Sequence, residues 1–459
     1  MSDALTLPFA DEATVNRIAD LYREPDWMRA ERHAALRLAH ELPIETNPLF
    51  TLYVDLRAAR LGDIEPYTET GDANEVATVV PEGAAGLLAI AEDRVVARAL
   101  SPAAESAGVV LDTLANALAL RPELVQRVRA LVEGGRSLPE NDRMAQLARA
   151  LSALGVLVHV PDGVQLAEPL VIRWSVGAAG RGLMTRTLVD IGAGAGVKIL
   201  EEQVPTDGPA APDSAAGDAQ SLWWGTSEIH LADGAMLDFA GQQDFGPSTL
   251  AFVNRHATLK RDAQLRWALA SVGGLIHKSR IDNRLVGRGS SVHQAEIGFG
   301  AGSQLFDLTS YTRHIGQDTT GDLLSKGVFL DRSRGYFKGM IDIERTAKGT
   351  DSFLGEFAML LNKKARSVTI PSLEIDQPDV RRASHSSSVG PIDETQLFYL
   401  MSRGLLRELA RKFIVLGFLE PVVARIPLAE AQDRLRDLLE QKWPADSATA
   451  TVSPTGAAA

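Results

Sequence analysis

The spacing of apolar residues along the 459-residue chain changes character twice. The first stretch is helical in period: in Thr14-Val15-Asn16-Arg17-Ile18-Ala19-Asp20-Leu21-Tyr22, the residues Val15, Ile18, Ala19 and Tyr22 fall on one face. Glu24-Pro25-Asp26 interrupts this pattern, and Asp26 is placed to cap a second helix over 27–42, ending before Pro43. Helices are also expected at 103–120, 122–132 and 141–153, with Pro102 and Pro122 in first turns, where the missing N–H has no intrahelical partner to lose. Between them lies a mixed region, 50–100, with strand-like runs Thr78-Val79-Val80 and Arg94-Val95-Val96.

From about residue 156 to 393 the period becomes that of short strands rich in Val, Ile, Leu and Thr, separated by corners of Gly, Asp and Ser. The corners resemble one another: Gly194-Ala195-Gly196-Val197, Asp233-Gly234-Ala235-Met236-Leu237, Arg261-Asp262-Ala263-Gln264-Leu265, Arg288-Gly289-Ser290-Ser291-Val292, Gly302-Ser303-Gln304-Leu305 and Lys364-Ala365-Arg366-Ser367-Val368. Their apolar openers stand at 197, 237, 265, 292, 305 and 368. Intervals of 28 and 27 fit one coil of a β-helix, 40 a coil with an insert, and 13 a second corner within one coil. The last gap, 63, is about two coils, with Asp331-Arg332-Ser333-Arg334-Gly335 as a corner inside it. This irregular strand length with recurring corners favours a mainly β fold with a parallel β-helix (β-solenoid) core over a β-sandwich, whose strands would alternate more regularly.

Helical period returns at 393. Asp393 and Gln396 form a capping-box-like start, Leu397, Leu400 and Met401 share a face, and Gly404 suits a stop. A second helix is expected at 406–416 and, beyond Pro421 and Pro427, a third at 428–443. The expected domains are a mainly helical 1–155, a β-helix core at 156–384, a helical 385–443 and a disordered tail at 444–459. Residues 205–221, almost all Pro, Gly, Ala, Asp and Ser, are expected as an exposed mobile loop within the core.

Composition narrows the function. With 47 basic and 59 acidic residues the net charge is −12, so nucleic-acid binding lacks its main electrostatic term. No stretch approaches the roughly 18 apolar residues of a membrane span, and Met1 to Phe9 lacks the pattern of a secretory signal, so a cytoplasmic location is expected. The chain contains no cysteine, which removes disulfides, thiolate nucleophiles and cysteine-ligated metal centres of its own.

Asp190-Ile191-Gly192-Ala193-Gly194-Ala195-Gly196 superficially invites a dinucleotide site, but Val197-Lys198-Ile199-Leu200 continues as strand where that site needs a helix. No Walker A sequence occurs. The nine histidines (33, 40, 159, 230, 256, 277, 293, 314 and 385) form no His-Glu-x-x-His pattern. Asp342 and Glu344 share a strand face and are the acids of an alternative function, a carbohydrate-active β-helix enzyme; Arg345 and Lys348 beside them favour a salt-bridged surface instead. His385 lies in a small, polar stretch, Ala383-Ser384-His385-Ser386-Ser387-Ser388-Val389-Gly390, where solenoid gives way to helix. There a metal-binding imidazole and an ordinary loop histidine both remain open.

Ser384-His385, Val389-Gly390, Asp393-Glu394 and Gln396-Leu397-Phe398-Tyr399-Leu400-Met401-Ser402-Arg403-Gly404 together resemble the C-terminal signature of the SufB/SufD family of iron–sulfur cluster assembly proteins. Gly327-Val328-Phe329-Leu330-Asp331-Arg332-Ser333-Arg334-Gly335, Leu360-Leu361-Asn362-Lys363-Lys364-Ala365 and Pro371-Ser372-Leu373-Glu374-Ile375 resemble its late coils, and Glu24-Pro25-Asp26-Trp27-Met28 with Arg32 and Leu42-Pro43 its early helices. The resemblance implies a right-handed parallel β-helix between helical ends, and a non-catalytic scaffold. It implies pairing with a SufB-like subunit through the β-helix and docking of a SufC-like ATPase on the C-terminal helices, with Leu397, Phe398, Tyr399, Arg403, Phe413 and Phe418 as the docking residues. It further implies a transient iron–sulfur cluster shared with the SufB-like subunit, to which His385 is the candidate ligand, and it is compatible with a flavin in the complex and with a homodimer of the chain alone. The missing cysteines match the SufD side of the family, since the SufB side supplies cysteine to the cluster; the cysteine many members carry two residues before the histidine is Ala383 here.

Overall fold

The structure is a computed structural model, and it describes residues 7–68, 76–133, 142–206, 219–425 and 429–443. Helices α1 (Glu12–Leu21) and α2 (Asp26–Glu41) open the chain, and a helix–strand region follows: β1 (Glu65–Pro66), β2 (Gly86–Ala91), β3 (Arg94–Leu100), α3 (Pro102–Ser106), β4 (Val110–Thr113), α4 (Leu114–Leu120), α5 (Pro122–Glu133) and α6 (Arg143–Leu151). Then come sixteen strands that alternate between two sheets. The first sheet takes β5 (Leu154–Val160), β7 (Arg181–Ile191), β9 (Ser221–Leu231), β11 (Thr249–Leu259), β13 (Ile276–Leu285), β15 (Leu305–His314), β17 (Arg334–Ile343) and β19 (Arg366–Ile375). The second takes β6 (Leu170–Ser175), β8 (Gly196–Val204), β10 (Met236–Gln243), β12 (Gln264–Ser271), β14 (Ser291–Gly300), β16 (Thr320–Phe329), β18 (Asp351–Leu360) and β20 (Arg382–Pro391). Each turn contributes one strand to each sheet and pairs in parallel with the turn before it, giving a β-solenoid of about 8 turns. Helices α7 (Glu394–Ser402), α8 (Arg407–Val423) and α9 (Ala429–Gln441) close the chain.

The corner residues explain why the chain coils. Val197, Leu237, Leu265 and Val292 stand side by side in the second sheet, so the sequence period is the structural one. Just before each of them the backbone turns through positive φ: +64° at Gly194, +67° at Gly234, +55° at Asp262 and +73° at Gly289. Glycine and, less readily, aspartate tolerate that conformation, which accounts for the residues that recur there. Each corner N–H donates to the next turn: Gly194 to the Asp233 carbonyl, Gly234 to Arg261 and Asp262 to Arg288. The glycine run at 192–196 is therefore a solenoid corner.

Between the sheets, aromatic side chains stack from turn to turn: Trp174 on Trp223 at 6.0 Å, Trp223 on Phe245 at 5.8 Å and Phe239 on Trp267 at 4.9 Å. The outer faces are covered separately. On the first sheet, Val15, Leu36, Leu147 and Leu151 from the N-terminal helices pack on Met184, Trp224 and Phe252. On the second, Val415, Leu419, Leu435 and Leu439 from the C-terminal helices pack on Ala268, Ile297 and Val328.

Several expectations are corrected. The stretch 103–120 is not one helix: Gly108, at φ +78°, ends α3, the β-branched pair Val109-Val110 leads into β4, and the Thr113 hydroxyl caps α4 by accepting the Asn116 N–H. Asp26 is the first residue of α2, and Pro25 takes the capping position without a side-chain bond. Thr78-Val79-Val80 is not a strand. Pro421 lies inside the last turn of α8 instead of ending it. The solenoid also runs beyond 384, through Pro391. Of the loop expected at 205–221, residues 207–218 lie outside the described residues, as does the tail at 444–459.

Candidate functional site

The two ends of the solenoid are finished differently. At the first end β3 and β4 pair antiparallel to their neighbours, β2 and β5. At the last end β19 and β20 are the outermost strands of their sheets, each hydrogen-bonded to one neighbour only. This last turn is a mouth opening on the interior, and His385 stands in it.

Of the two readings left open for His385, the ordinary loop histidine does not hold, because His385 is in the middle of β20. Ala383 packs with the interior residues Leu323, Ile341, Ile343 and Leu354. By strand alternation His385, Ser387 and Val389 belong to the same inward face. His385 pairs in register with Leu354, and Ser387 with Glu356. His385 is nevertheless exposed, because no turn follows to cover it.

Beneath the mouth one inward column of the second sheet is polar. Glu296, Ser325, Glu356 and Ser387 occupy the same inward position on four successive strands of the second sheet. Ser325 donates to Glu296 Oε2 at 3.4 Å. Burial pushes the Glu296 carboxyl up to about 7 against the opposing charge of Arg255, and pushes Glu356 up to about 8 against a hydrogen bond from the Ile370 N–H. The Oε2 atom of Glu356 has no hydrogen-bond partner. Opposite it Gly339 leaves the space the carboxyl occupies: a Cβ there would lie 2.7 Å from Glu356 Oε1. The sequence reading missed Glu356. The signal was available, since a lone acid in Phe353-Leu354-Gly355-Glu356-Phe357-Ala358 sits 31 residues, one turn, before Ser387.

The C-terminal helices present a second surface. Phe398 is 71% exposed, Tyr399 56% and Phe413 54%, and Leu406 and Leu409 are exposed with them. Arg403 lies over the Tyr399 ring at 5.1 Å. Two expected docking residues are corrected: Leu397 is 1% exposed within the helix–solenoid core, and Phe418 packs inward, its carbonyl accepting from Lys326 Nζ at 2.6 Å. The reason is geometric, because Leu397 and Phe418 lie on the helix faces that cover the second sheet. Arg411 donates to the Leu361 carbonyl at 2.9 Å, and a cavity of about 450 Å³ separates α7 and α8 from the corner between β18 and β19.

The acids of the alternative function are engaged elsewhere. Asp342 and Glu344 both bind Arg313, at 2.9 and 2.8 Å, and Lys348 pairs with Asp379 rather than with either. His159 and His230 both bond Asp190, at 2.8 and 3.0 Å, and the two histidines hold its carboxyl down at about 2 despite burial. Among the described residues no three His, Asp or Glu side chains converge as a metal-binding group, and no helix is long and apolar enough to cross a membrane.

Comparison with known proteins places this arrangement. Residues 174–418, more than half of the chain, match the family described as SUF system FeS cluster assembly, SufBD core domain. The iron–sulfur cluster assembly protein SufD of Bacillus subtilis is 26% identical over 94% of this chain and 98% of its own length. A SufBD family protein of Staphylococcus aureus is 26% identical over 93% of this chain and 91% of its own. With the solenoid, the mouth histidine and the absence of cysteine already in place, these matches establish that the chain belongs to the SufB/SufD family of iron–sulfur cluster assembly proteins and is SufD-like.

Proposed function

We propose that this chain is a non-catalytic, cytoplasmic scaffold subunit of an iron–sulfur cluster assembly complex. Its solenoid mouth pairs with a SufB-like subunit, the exposed ridge of α7 and α8 docks a SufC-like ATPase, and His385 ligates a transient cluster whose cysteine ligands come from the SufB-like side. The observation that carries this reading is the terminal turn: two sheet edges left without a neighbour, with an exposed histidine on the inner face between them. Unpaired edges are a hazard that folded proteins normally cover, so a permanent pair of them calls for a partner strand. The same logic applies to Phe398, Tyr399 and Phe413, whose apolar surface is uncovered in the isolated chain. A chain with no cysteine and no phosphate loop needs partners for sulfur ligation and for ATP hydrolysis.

The test is co-expression with the host's SufB and SufC homologues, capture on this chain, and subunit counting by native mass spectrometry. One SufB-like and two SufC-like subunits per chain are expected. A lone chain, or a homodimer indifferent to both partners, overturns the proposal. Phe413→Asp separates the two surfaces: it is expected to remove the ATPase and leave the SufB-like subunit bound.

A further inference from the structure

We propose that Glu356 is a second donor group of the mouth, which with His385 forms a subsite for a single divalent iron ion, the form in which that metal enters assembly. This rests on the scaffold reading above, and it adds a residue one full turn away from the histidine.

Position is the first argument. His385 stands opposite Leu354, and Glu356 is two residues along the same strand on the same inward face. With strands about 4.8 Å apart and a rise of about 3.3 Å per residue, their Cα atoms are roughly 8 Å apart, which long side chains span. The second argument is direction. The Glu356 carboxyl crosses the interior to the first sheet, with Gly339 of β17 against Oε1 and the Ile370 N–H of β19 beside it, so it lies between its own turn and the terminal one. The third is an unmet demand. Glu356 is 2% exposed and its Oε2 has no hydrogen-bond partner. A buried carboxyl oxygen left without a donor is costly, and a bound cation meets that demand. Gly339 keeps the space open, since any side chain there would press on Glu356 Oε1.

The donor set fixes the ligand class. An imidazole nitrogen with a carboxylate oxygen suits a first-row divalent ion better than magnesium or calcium, which take oxygen ligands, or copper(I), which takes sulfur. Two donors leave coordination positions unfilled, in keeping with the absence of any three-residue group among the described residues. Those positions are filled by water in the free chain and by the partner's ligands in the complex.

The experiment is an anaerobic titration of the full chain with Fe(II) and, as a visible probe, Co(II), comparing the native protein with E356Q, H385A and E296Q. The native chain is expected to show saturable cobalt bands. E356Q and H385A should each weaken binding roughly 10-fold or more and alter the bands. E296Q, two turns deeper in the same column, should bind as the native chain does and shows that loss of a buried acid is not itself the cause. Native-like binding by E356Q, or no saturable binding by the native chain, overturns the inference. A loss in H385A alone keeps the histidine and removes Glu356. Native-like binding by H385A removes the mouth as a metal site, while subunit counting still decides the scaffold reading.

Discussion

At its first end the solenoid is sealed and at its last it is open, although both are built from the same two-strand turn. The seal has two parts. Strands β3 and β4 reverse direction and end their sheets as antiparallel edges, and Ala104, Val109 and Leu111 plug the interior against Val156 and Ile172. At the mouth neither device is present: β19 and β20 run parallel to the turn below, and Ile375, Val389 and His385 are left exposed. A repeat protein needs a cap at each terminus to stay soluble. With one cap encoded in the chain and one withheld, the proposed scaffold role assigns the second to a partner molecule.

The contrast can be broken most forcefully from the sealed side. Trp223→Ala, which empties a stacked aromatic position 1% exposed, is expected to cost about 3–5 kcal/mol in urea unfolding. In the polar column, Glu296 makes stability depend on pH. Its folded value of about 7 lies above the unfolded 4.5. The folded state therefore binds more protons between those values, and stability falls as pH rises through the window. E296Q should reduce that fall by roughly 1–3 kcal/mol between pH 5 and pH 8, measured by urea midpoints at both, while Glu356, raised to about 8, keeps its own contribution over the same window. At the rim, Ile375→Lys is expected to weaken association with the SufB-like subunit roughly 10-fold, or about 1.4 kcal/mol, with the urea midpoint unchanged. Smallest of all, His385→Ala should alter folding stability by less than about 0.5 kcal/mol, because its side chain is exposed. A larger destabilisation would show that the mouth is part of the folded core and not a surface awaiting a partner.

The sealed half was the more legible in the sequence. Corners at Gly194, Gly234, Asp262 and Gly289 announce themselves because a left-handed backbone admits few residue types, and the coil period follows from them. The mouth was harder to read. Strand β20 is Arg-Ala-Ser-His-Ser-Ser-Ser-Val-Gly-Pro, a composition that reads as loop because no turn covers it and so no apolar residues are required. Its strand character comes wholly from pairing with β18, a contact 31 residues away. The same non-locality hid Glu356, which only the ladder brings opposite Ser387, two residues along β20 from His385. On α7 and α8, helical spacing located the helices but not their orientation. Leu397 and Phe398 are adjacent in sequence, yet one is buried and the other exposed, and only the packing on the second sheet separates them.

The unequal ends also set how the molecule breathes. In a stack where each turn touches only its neighbours, local opening starts where a neighbour is missing and works inward. Amide hydrogens of β19 and β20 therefore exchange first in the free chain, those of β17 and β18 next, and the aromatic turns around Trp223 last. A partner that completes the mouth removes the starting point. The protein's motion is in this sense polarised: the end that carries His385 is the end expected to loosen when the chain stands alone, and a partner bound there is expected to make it rigid while leaving the sealed half as it is.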